Sequence, residues 1–295
     1  MPEQTIGFIG LGNMGLPMAA NLAQAGFVVH GYDAQLKETD NAPQNLTLFD
    51  DLHDCVKTAD VVFTMLPNGA IVLDVVEAIL RSRSKPVTVI DCSTIDINDA
   101  RKAHEQVTAK GFAFFDAPVS GGITGAAKGT LTAMVGGEEA QLASLQDVLA
   151  PLFSNIVYCG APGNGQAAKL CNNMLLATSM IGAGETFNLG AQLGLDPQTL
   201  YSILSSSTGS CWSVNQYCPV AGVGPQSPAD NDYQPGFSGY MMLKDMKLTQ
   251  DAARSVSVAT PLGKHALQLY DDFVTQGGGP KDFSAIIQYL QALER

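Results

Sequence analysis

A glycine-rich loop near the start of the chain has the spacing that holds a dinucleotide. Its glycines form the pattern GxGxxG, directly after a buried-strand pattern at 5–9 and at the start of a helical pattern, the context in which this pattern is specific. The first glycine permits a tight turn, the second lets the backbone approach a pyrophosphate, and the third allows close packing of helix on strand. The helix N-terminus then holds the anion. The predicted dinucleotide contacts are Gly10, Leu11, Gly12, Asn13, Met14 and Gly15.

Asp33 predicts which dinucleotide binds. It ends the second predicted strand, about 20 residues beyond the loop, where a carboxylate can accept hydrogen bonds from an adenosine ribose. A 2′-phosphate at this place would meet a like charge. The following residues Ala34-Gln35-Leu36 offer no arginine to neutralise it, and Lys37 is the first cation. We therefore expect NAD rather than NADP.

These residues need a parallel sheet to position them. From Thr5 to about Tyr158, short β-branched or aromatic runs alternate with helical patterns, which is typical of an α/β fold with helices on both faces of the sheet. The predicted strands are Thr5–Ile9, Val28–Tyr32, Val61–Met65, Val87–Ile90, Ala113–Phe115, Thr132–Val135 and Ile156–Tyr158. The predicted helices between them are Asn13–Ala25, Ala70–Leu80, Asn98–Lys110 and Glu139–Leu149.

The pattern changes after Gly160. Turn-forming residues follow at 161–165, and no strand pattern comes after them. Gly165–Leu193 predicts one long helix that is hydrophobic nearly all round, as expected for a helix buried between neighbours. Further helices are predicted at Pro197–Leu204, Met241–Ser257, Pro261–Tyr270 and Phe283–Leu290. We predict a Rossmann-like α/β dinucleotide-binding domain at 1–163, followed by an all-α domain at 164–295 for substrate binding and oligomerisation.

Charge and hydropathy limit the partners. The formal net charge is −12, from 28 acidic and 16 basic residues, and no Lys/Arg cluster reverses it locally, so we expect no nucleic acid partner. Apolar stretches such as Val61–Leu66 fall far short of the roughly 20 residues that span a bilayer, so we expect no membrane partner. Met1-Pro2-Glu3-Gln4 leads into a strand without the features of a signal or transit peptide, and we expect a cytoplasmic protein.

The cysteines and histidines predict no metal site. The chain has 6 cysteines and 4 histidines, with no CxxC motif and no metal-like spacing. We interpret the cysteines as buried free thiols.

Four motifs in order along the chain resemble the β-hydroxyacid dehydrogenase family. The run Phe8–Asn21 is similar to the family's opening signature, and Asp116-Ala117-Pro118-Val119-Ser120-Gly121-Gly122 to its substrate-binding segment. Gly163–Asn173 is similar to its catalytic helix, and Lys244-Asp245 to its late lysine-aspartate pair. The resemblance covers most of the chain and implies an NAD-dependent dehydrogenase of a small-molecule β-hydroxy acid.

Other segments refine the expected substrate. Ser210-Cys211-Trp212-Ser213, the proline-rich stretch to Phe237 and Lys281-Asp282-Phe283-Ser284 look most like family members that oxidise 3-hydroxyisobutyrate to methylmalonate semialdehyde, a step of valine breakdown. A reductase for tartronate or succinic semialdehyde stays open as an alternative, as does a dinucleotide-binding interaction protein without catalysis. The presence of Lys169 counts against the latter. Long apolar helices favour a homodimer or homotetramer.

Lys169 is the candidate catalytic residue. Hydride transfer from an alcohol requires that the hydroxyl lose its proton to a group within hydrogen-bond reach, and the resemblance assigns this place to Lys169. Burial and the nearby helix N-terminus favour the neutral amine, whereas a substrate carboxylate favours the cation, so its role as base or as stabilising cation stays open. Asn173 stands one helical turn further on the same face and is expected to bind the substrate.

The remaining site residues lie in loops and in the second domain. Ser120-Gly121-Gly122 offers a hydroxyl and glycine-exposed N–H groups suited to a carboxylate. The resemblance adds Trp212 and Phe237, which would close the apolar side of the pocket around a substrate methyl, and Lys244, near the nicotinamide ribose. Cofactor contacts at the carboxyl ends of strands are expected for Leu66, Pro67, Asn68 and Thr94.

Overall fold

The chain forms two compact units, Met1–Lys169 and Leu170–Arg295. We refer to them as the N-terminal and C-terminal units. The domains predicted from sequence, which meet at 163/164, stay a prediction. The computed structural model describes residues 4–35, 43–83 and 85–293.

Among the described residues, a nine-stranded sheet forms the frame of the N-terminal unit. Its strands are β1 (Thr5–Ile9), β2 (Val28–Tyr32), β3 (Leu46–Leu48), β4 (Val61–Thr64), β5 (Thr88–Asp91), β6 (Ala113–Asp116), β7 (Val119–Ser120), β8 (Leu131–Gly136) and β9 (Phe153–Gly160). Strands β3, β2, β1, β4, β5 and β6 lie side by side in this order and are parallel. Strand β8 pairs antiparallel with β6 and β7 and parallel with β9. Strands β2 and β3 lie on one side of β1, and β4, β5 and β6 lie on its other side. In such sheets, ligands bind outside the carboxyl ends of the strands, at the strand where the order changes side.

Helices cover both faces of the sheet because its strands are apolar on both sides. Val61 and Phe63 of β4 belong to one buried core, whereas Val62 between them belongs to a second core, as the period of two in a strand requires. Met18 packs in the first core and Val72 in the second. The helices are α1 (Gly15–Gln24), α2 (Leu52–Val56), α3 (Gly69–Ser82), α4 (Ile97–Thr108), α5 (Gly122–Lys128), α6 (Glu139–Leu142) and α7 (Gln146–Leu149).

The C-terminal unit is helical in its described residues. After α8 (Asn164–Gln192), which begins in the N-terminal unit, come α9 (Pro197–Ser206), α10 (Trp212–Asn215), α11 (Gly239–Ser255), α12 (Pro261–Phe273) and α13 (Ile286–Leu293). Met180 of α8, Met246 of α11 and Tyr270 of α12 share one buried core. An isolated antiparallel bridge pairs Ser238 with Asp282. The predicted fold class, a Rossmann-like α/β domain followed by an all-α domain, is confirmed.

The elements that the sequence did not predict are short. They are β3, β7, α2, α5 and α10, each too short for a helical or alternating pattern to repeat several times. The predicted helix Glu139–Leu149 is wrong as a single element, because a 3-10 turn at Ala143–Leu145 separates α6 from α7. Leu142 and Leu145 are both buried, and a helix with three residues per turn keeps residues with this spacing on one face.

The structure can also be searched for membrane-spanning helices, metal-binding groups and exposed thiols. No helix among residues 4–35, 43–83 and 85–293 is long and apolar enough to cross a bilayer. Over the same residues, no three His, Cys, Asp or Glu side chains form a group that could hold a metal ion. Cys55, Cys92 and Cys218 are buried free thiols. The expectation of burial is wrong for Cys171, which is exposed, and incomplete for the half-buried Cys159 and Cys211.

Candidate active site

The glycine-rich loop connects β1 to α1 at the carboxyl end of β1. Gly10 has a φ angle of 91°, and a Cβ atom at this residue would overlap the carbonyl oxygen of Met65. A Cβ atom at Gly15 would overlap the carbonyl oxygen of Gly10. At Gly12, by contrast, a Cβ atom would meet nothing within 4 Å. The packing of the chain therefore explains glycine at two of the three positions, and the open space beside Gly12 fits a ligand that approaches the backbone.

The N-terminus of α1 fits an anion. Met14 occupies the N-cap position without a side-chain capping hydrogen bond, and the first turn carries no acidic residue. The N–H groups of a first helical turn lack intrahelical partners and lie at the positive end of the helix dipole. No carboxylate of the first turn opposes a bound pyrophosphate here.

Asp33 lies beside the loop, where the sequence predicts the ribose site. Its Oδ2 atom accepts a hydrogen bond from the backbone N–H of Leu11 at 2.8 Å, and its Oδ1 atom accepts one from Gln35 at 2.8 Å. Leu11, Gly12, Asp33 and Gln35 line a pocket. The carboxylate is thus held at the entrance of the dinucleotide loop. Lys37, the first cation after Asp33, lies outside the described residues.

A hydrogen-bonded network connects the carboxyl ends of β4 and β5. Asp91 is fully buried and accepts hydrogen bonds from Thr64 Oγ1 at 2.7 Å and from Ser93 Oγ at 2.5 Å. Ser93 Oγ in turn accepts one from the backbone N–H of Leu66 at 2.8 Å. Burial raises the pKa of Asp91 to about 6, although the hydrogen bonds from Ser93 and Thr64 act to lower it. The network fixes the two loops that contain the expected cofactor contacts.

These two loops contain Leu66-Pro67-Asn68 and Thr94. The side chain of Asn68 has a structural role, because its Oδ1 atom caps α3 by accepting a hydrogen bond from the N–H of Ile71 at 3.0 Å. Such N-caps stabilise a helix by about 1 kcal/mol. Contacts of these residues with a cofactor stay a prediction.

Asp116, the last residue of β6, fixes the start of α8. This fully buried carboxylate accepts hydrogen bonds from the backbone N–H groups of Gly163 at 2.8 Å and Gln166 at 3.0 Å. Burial raises the pKa of Asp116, while the hydrogen bonds from Gly163 and Gln166 act to lower it. Because the first N–H groups of a helix need partners from outside the helix, Asp116 acts as a distant cap of α8.

Lys169 lies on the first turns of α8, next to the predicted substrate segment. Its side chain is only 7% exposed, and Nζ donates a hydrogen bond to the carbonyl oxygen of Val119 at 2.8 Å. Ser120 follows directly, and Gly121 has a φ angle of 133°, which a residue with a side chain rarely adopts. The structure therefore brings the Lys169 amine to the first residue of the segment Val119–Gly122.

In the C-terminal unit, Asn173 and Lys244 are connected through Asp245. Asn173 Nδ2 donates a hydrogen bond to Asp245 Oδ2 at 2.6 Å, and both residues are buried. Lys244 Nζ lies 3.6 Å from Asp245 Oδ1. The carboxylate therefore fixes the amide of Asn173 in one orientation. Binding of substrate by Asn173 and of cofactor by Lys244 stays a prediction.

Trp212 and Phe237 belong to an aromatic cluster of the C-terminal unit. Trp212, which is 50% exposed, stacks on Tyr217 with ring centroids 4.7 Å apart. Tyr217 stacks on Phe283 at 5.6 Å, and Phe237 meets Phe283 edge-on at 5.7 Å. The exposed face of Trp212 can contact a ligand, whereas Phe237 packs against the core. Their contact with a substrate methyl stays a prediction.

The sequence analysis predicted no function for four buried side chains of these networks: Asp91, Asp116, Gln166 and Asp245. Three of them, Asp116, Gln166 and Asp245, lie inside the motifs of the family resemblance, in which functions were predicted for neighbouring residues instead. The signal for Asp91 was an acidic residue at the end of an apolar strand, because charged side chains are rarely fully buried unless they have partners. The signal for the others was weaker, since their partners are distant in sequence.

Comparisons with known proteins cover both units. Residues 5–160 match the family model described as the NAD binding domain of 6-phosphogluconate dehydrogenase. Residues 163–290 match the model described as NAD-binding of NADP-dependent 3-hydroxyisobutyrate dehydrogenase. The N-terminal match alone spans more than half of the chain.

Relatives of known name match over nearly the whole length. The chain is 45% identical to the probable 3-hydroxyisobutyrate dehydrogenase of Mycobacterium tuberculosis (strain ATCC 25618 / H37Rv), over 98% of both chains. It is 45% identical to the mitochondrial 3-hydroxyisobutyrate dehydrogenase of Homo sapiens, over 98% of this chain and 87% of the human one. A solved structure of the Mycobacterium tuberculosis 3-hydroxyisobutyrate dehydrogenase with L-serine superimposes with a TM-score of 0.92, at 44% identity over 98% of this chain and 99% of the other.

Proposed function

Because the chain belongs to the β-hydroxyacid dehydrogenase family, we propose that it oxidises 3-hydroxyisobutyrate to methylmalonate semialdehyde (2-methyl-3-oxopropanoate) with NAD, in valine degradation. The observation that carries the proposal is the buried amine of Lys169, held at the carbonyl of Val119 beside Ser120. The identity of 45% to 3-hydroxyisobutyrate dehydrogenases over 98% of the chain supports the choice of substrate.

The residues of the N-terminal unit fit the cofactor. NAD supplies the hydride acceptor when it is bound. The open space beside Gly12 and the uncapped N-terminus of α1 suit a pyrophosphate, and the carboxylate of Asp33 suits an adenosine ribose. By family resemblance, Leu66, Pro67, Asn68, Thr94 and Lys244 are further contacts.

Lys169 assists proton removal from the substrate hydroxyl. Oxidation takes a hydride from C3 and a proton from the hydroxyl oxygen, and it leaves a C=O bond. A buried amine within hydrogen-bond reach accepts this proton when it is neutral, and it stabilises alkoxide character when it is charged. Ser120, Gly121 and Gly122 hold the carboxylate. By family resemblance Asn173 fixes the substrate, and Trp212 and Phe237 surround its methyl group.

A substrate panel tests the proposal. NADH absorbance is measured with both enantiomers of 3-hydroxyisobutyrate, L-serine, D-glycerate and 4-hydroxybutyrate, and tartronate semialdehyde is tested in the reverse direction. We expect the highest kcat/KM for one enantiomer of 3-hydroxyisobutyrate. L-serine is a second candidate, because the related Mycobacterium tuberculosis structure is described with this compound. A kcat/KM at least about tenfold higher for another member would replace the proposed substrate, and no turnover at all would favour the interaction protein.

Ser120→Ala is expected to raise KM for the hydroxy acid by roughly tenfold or more, because a net hydrogen bond to a charged group contributes about 1.5–3 kcal/mol. The dissociation constant of NADH should stay within about twofold, since Ser120 is assigned to the substrate carboxylate. Steady-state kinetics and NADH fluorescence titration measure the two quantities. Ser144→Ala, at an exposed serine of the same unit, serves as control. An unchanged KM would remove the carboxylate contact.

Asp33 is expected to make the enzyme prefer NAD over NADP by kcat/KM on one substrate. Its carboxylate would repel a 2′-phosphate as well as lose the ribose hydrogen bonds. Asp33→Asn combined with Ala34→Arg should narrow or invert the preference, whereas Asp74→Asn, at an exposed carboxylate of α3, should not change it. A wild-type enzyme that works equally well with both cofactors would show that Asp33 does not face the ribose.

We also propose a homo-oligomeric assembly and a cytoplasmic location. Leu175 and Leu189 of α8 and Leu193, just after the end of α8, are 60–71% exposed, and such apolar side chains favour burial in a homodimer or homotetramer. A cytoplasmic location is supported by the similarity to mycobacterial relatives, while the mammalian relatives are described as mitochondrial. The domains 1–163 and 164–295 are proposed for dinucleotide and substrate binding.

A further inference from the structure

The side chain of Gln166 spans the loop that contains Thr94. It is fully buried on α8, its Nε2 atom donates to the carbonyl oxygen of Ser93 at 2.7 Å, and its Oε1 atom accepts from the N–H of Ile95 at 3.1 Å. Thr94 lies between these two backbone groups. A carbonyl can only accept a hydrogen bond and an N–H can only donate one. The side chain at position 166 must therefore present a donor to Ser93 and an acceptor to Ile95.

The main chain of Gln166 is fixed as well. Its N–H donates to Asp116 Oδ2 at 3.0 Å, so the residue is held by β6 through its backbone and by the Ser93–Ile95 segment through its side chain. Ser93 is itself fixed, since its hydroxyl donates to Asp91 and accepts from the N–H of Leu66. A continuous set of hydrogen bonds thus runs from the loop after β4, through the loop after β5, to α8.

Lys169 lies less than one helical turn after Gln166. Its amine reaches the carbonyl oxygen of Val119. We propose that Gln166 is a positioning residue for hydride transfer: it fixes the Ser93–Ile95 loop, which is assigned to the cofactor, relative to the Lys169 amine, which is assigned to the substrate hydroxyl. This inference rests on the function proposed above, and it adds a residue whose side chain touches neither substrate nor cofactor.

The expected consequence concerns the chemical step. Hydride transfer requires donor and acceptor carbons in a narrow range of distance and angle, and a misplacement of about 1 Å can cost on the order of a hundredfold in rate. The residues assigned to pyrophosphate, ribose and carboxylate do not depend on the Gln166 amide. Loss of this amide should therefore lower kcat more than it weakens binding of either ligand.

Two substitutions test the amide. Gln166→Met has a similar length without a strong donor or acceptor, and we expect it to lower kcat at least about tenfold, with KM for the hydroxy acid and the dissociation constant of NADH within about threefold. The primary isotope effect on kcat, measured with 3-hydroxyisobutyrate deuterated at C3, should rise as hydride transfer becomes rate-limiting. Gln141→Met, at an exposed glutamine of the same unit, serves as control.

Gln166→Glu adds a readout that a packing role would not change. A protonated carboxyl group has one donor and one acceptor, like the amide, whereas a carboxylate would face the carbonyl oxygen of Ser93. Burial and the neighbouring carboxyl groups of Asp91 and Asp116 should raise the pKa of the new side chain, and the cations Lys169 on α8 and Arg101 on α4 act against this. We expect kcat of this variant, relative to wild type, to recover as the pH falls from 8 to 6, while the ratio for Gln166→Met stays constant.

The outcomes separate this inference from the proposed function. The constant ratio expected for Gln166→Met shows that titration of Asp91, which this variant retains, is not by itself the cause of a recovery in Gln166→Glu. Hydrogen exchange at the Ile95 amide, expected to be faster in Gln166→Met, reports the bond itself without activity. Wild-type kcat and an unchanged isotope effect in both Gln166 variants would overturn the positioning role, as would equal ratios for Met and Glu at every pH. A wild-type enzyme inactive on the whole panel would instead overturn the proposed function.

Discussion

Lys169→Ala should lower kcat at least about a hundredfold, the low end of what a general acid–base group contributes. The reason is the position of the amine, which is 7% exposed and 2.8 Å from the carbonyl oxygen of Val119, beside the proposed carboxylate site. NADH binding should stay within about twofold, because the glycine-rich loop and Asp33 are built from other parts of the N-terminal unit. Steady-state kinetics and NADH titration on the same preparation measure both effects.

Controls distinguish this loss from misfolding. Lys102→Ala removes an exposed lysine of α4 in the same unit and should leave kcat unchanged. Lys169→Ala should keep a thermal midpoint close to wild type in the presence of NADH. Nearly normal turnover in such a folded variant would refute the assignment of Lys169. Full activity in Lys169→Arg would favour the role of a stabilising cation over that of a base, because a guanidinium does not release its proton near neutral pH.

Alanine substitutions at two glycines of the glycine-rich loop are expected to affect different quantities, the free energy of unfolding at Gly15 and NADH binding at Gly12. Gly15→Ala should lower the free energy of unfolding by more than about 2 kcal/mol, because its Cβ would overlap the carbonyl oxygen of Gly10. Gly12→Ala should change this free energy by less than about 0.5 kcal/mol, since its Cβ meets nothing within 4 Å. It should nevertheless weaken NADH binding by roughly tenfold or more, because the Cβ occupies the space assigned to the pyrophosphate.

Chemical denaturation and NADH titration of both variants measure the two effects. Each variant is the control for the other, since the same methyl group is added to the same loop. A Gly12→Ala protein that binds NADH as tightly as wild type would show that the dinucleotide does not approach Gly12. A Gly12→Ala protein as unstable as Gly15→Ala would contradict the packing described for the loop.

Local sequence pattern is sufficient to propose part of the candidate site. Gly10, Gly12 and Gly15 are recognisable because the strand before them and the helix after them are adjacent in sequence, so local periodicity defines their context. Asp33 is proposed as a site residue for the same reason, since it directly follows the second strand. The segment at Ser120 and the lysine on α8 were proposed through the family resemblance, and in the structure the Lys169 amine donates to the carbonyl oxygen of Val119, next to Ser120.

The remaining contacts depend on which strands become neighbours. Asp116 meets Gln166, 50 residues later, only because β6 lies where α8 begins. Asn173 meets Asp245, 72 residues later, through the packing of α8 and α11. No periodicity encodes such pairs, and polar residues inside a motif have several possible roles. Short elements such as β7 were missed because two residues carry no alternation.

The bonds at the start of α8 also close loops of the chain. Asp116 is joined to Gly163 and Gln166 across 47 and 50 positions, and the Gln166 amide is joined to Ser93 and Ile95 across 73 and 71. The entropy lost on closing a loop grows only with the logarithm of its length. Most of the entropy is therefore lost when the first of these bonds forms, and the later bonds cost little more. When the Gln166 amide is removed, the pairing of β5 with β6 and the hydrogen bonds of Asp116 to the start of α8 still close the chain between Ser93 and α8. Such a variant therefore loses the orientation of the Ser93–Ile95 loop but keeps the chain closed.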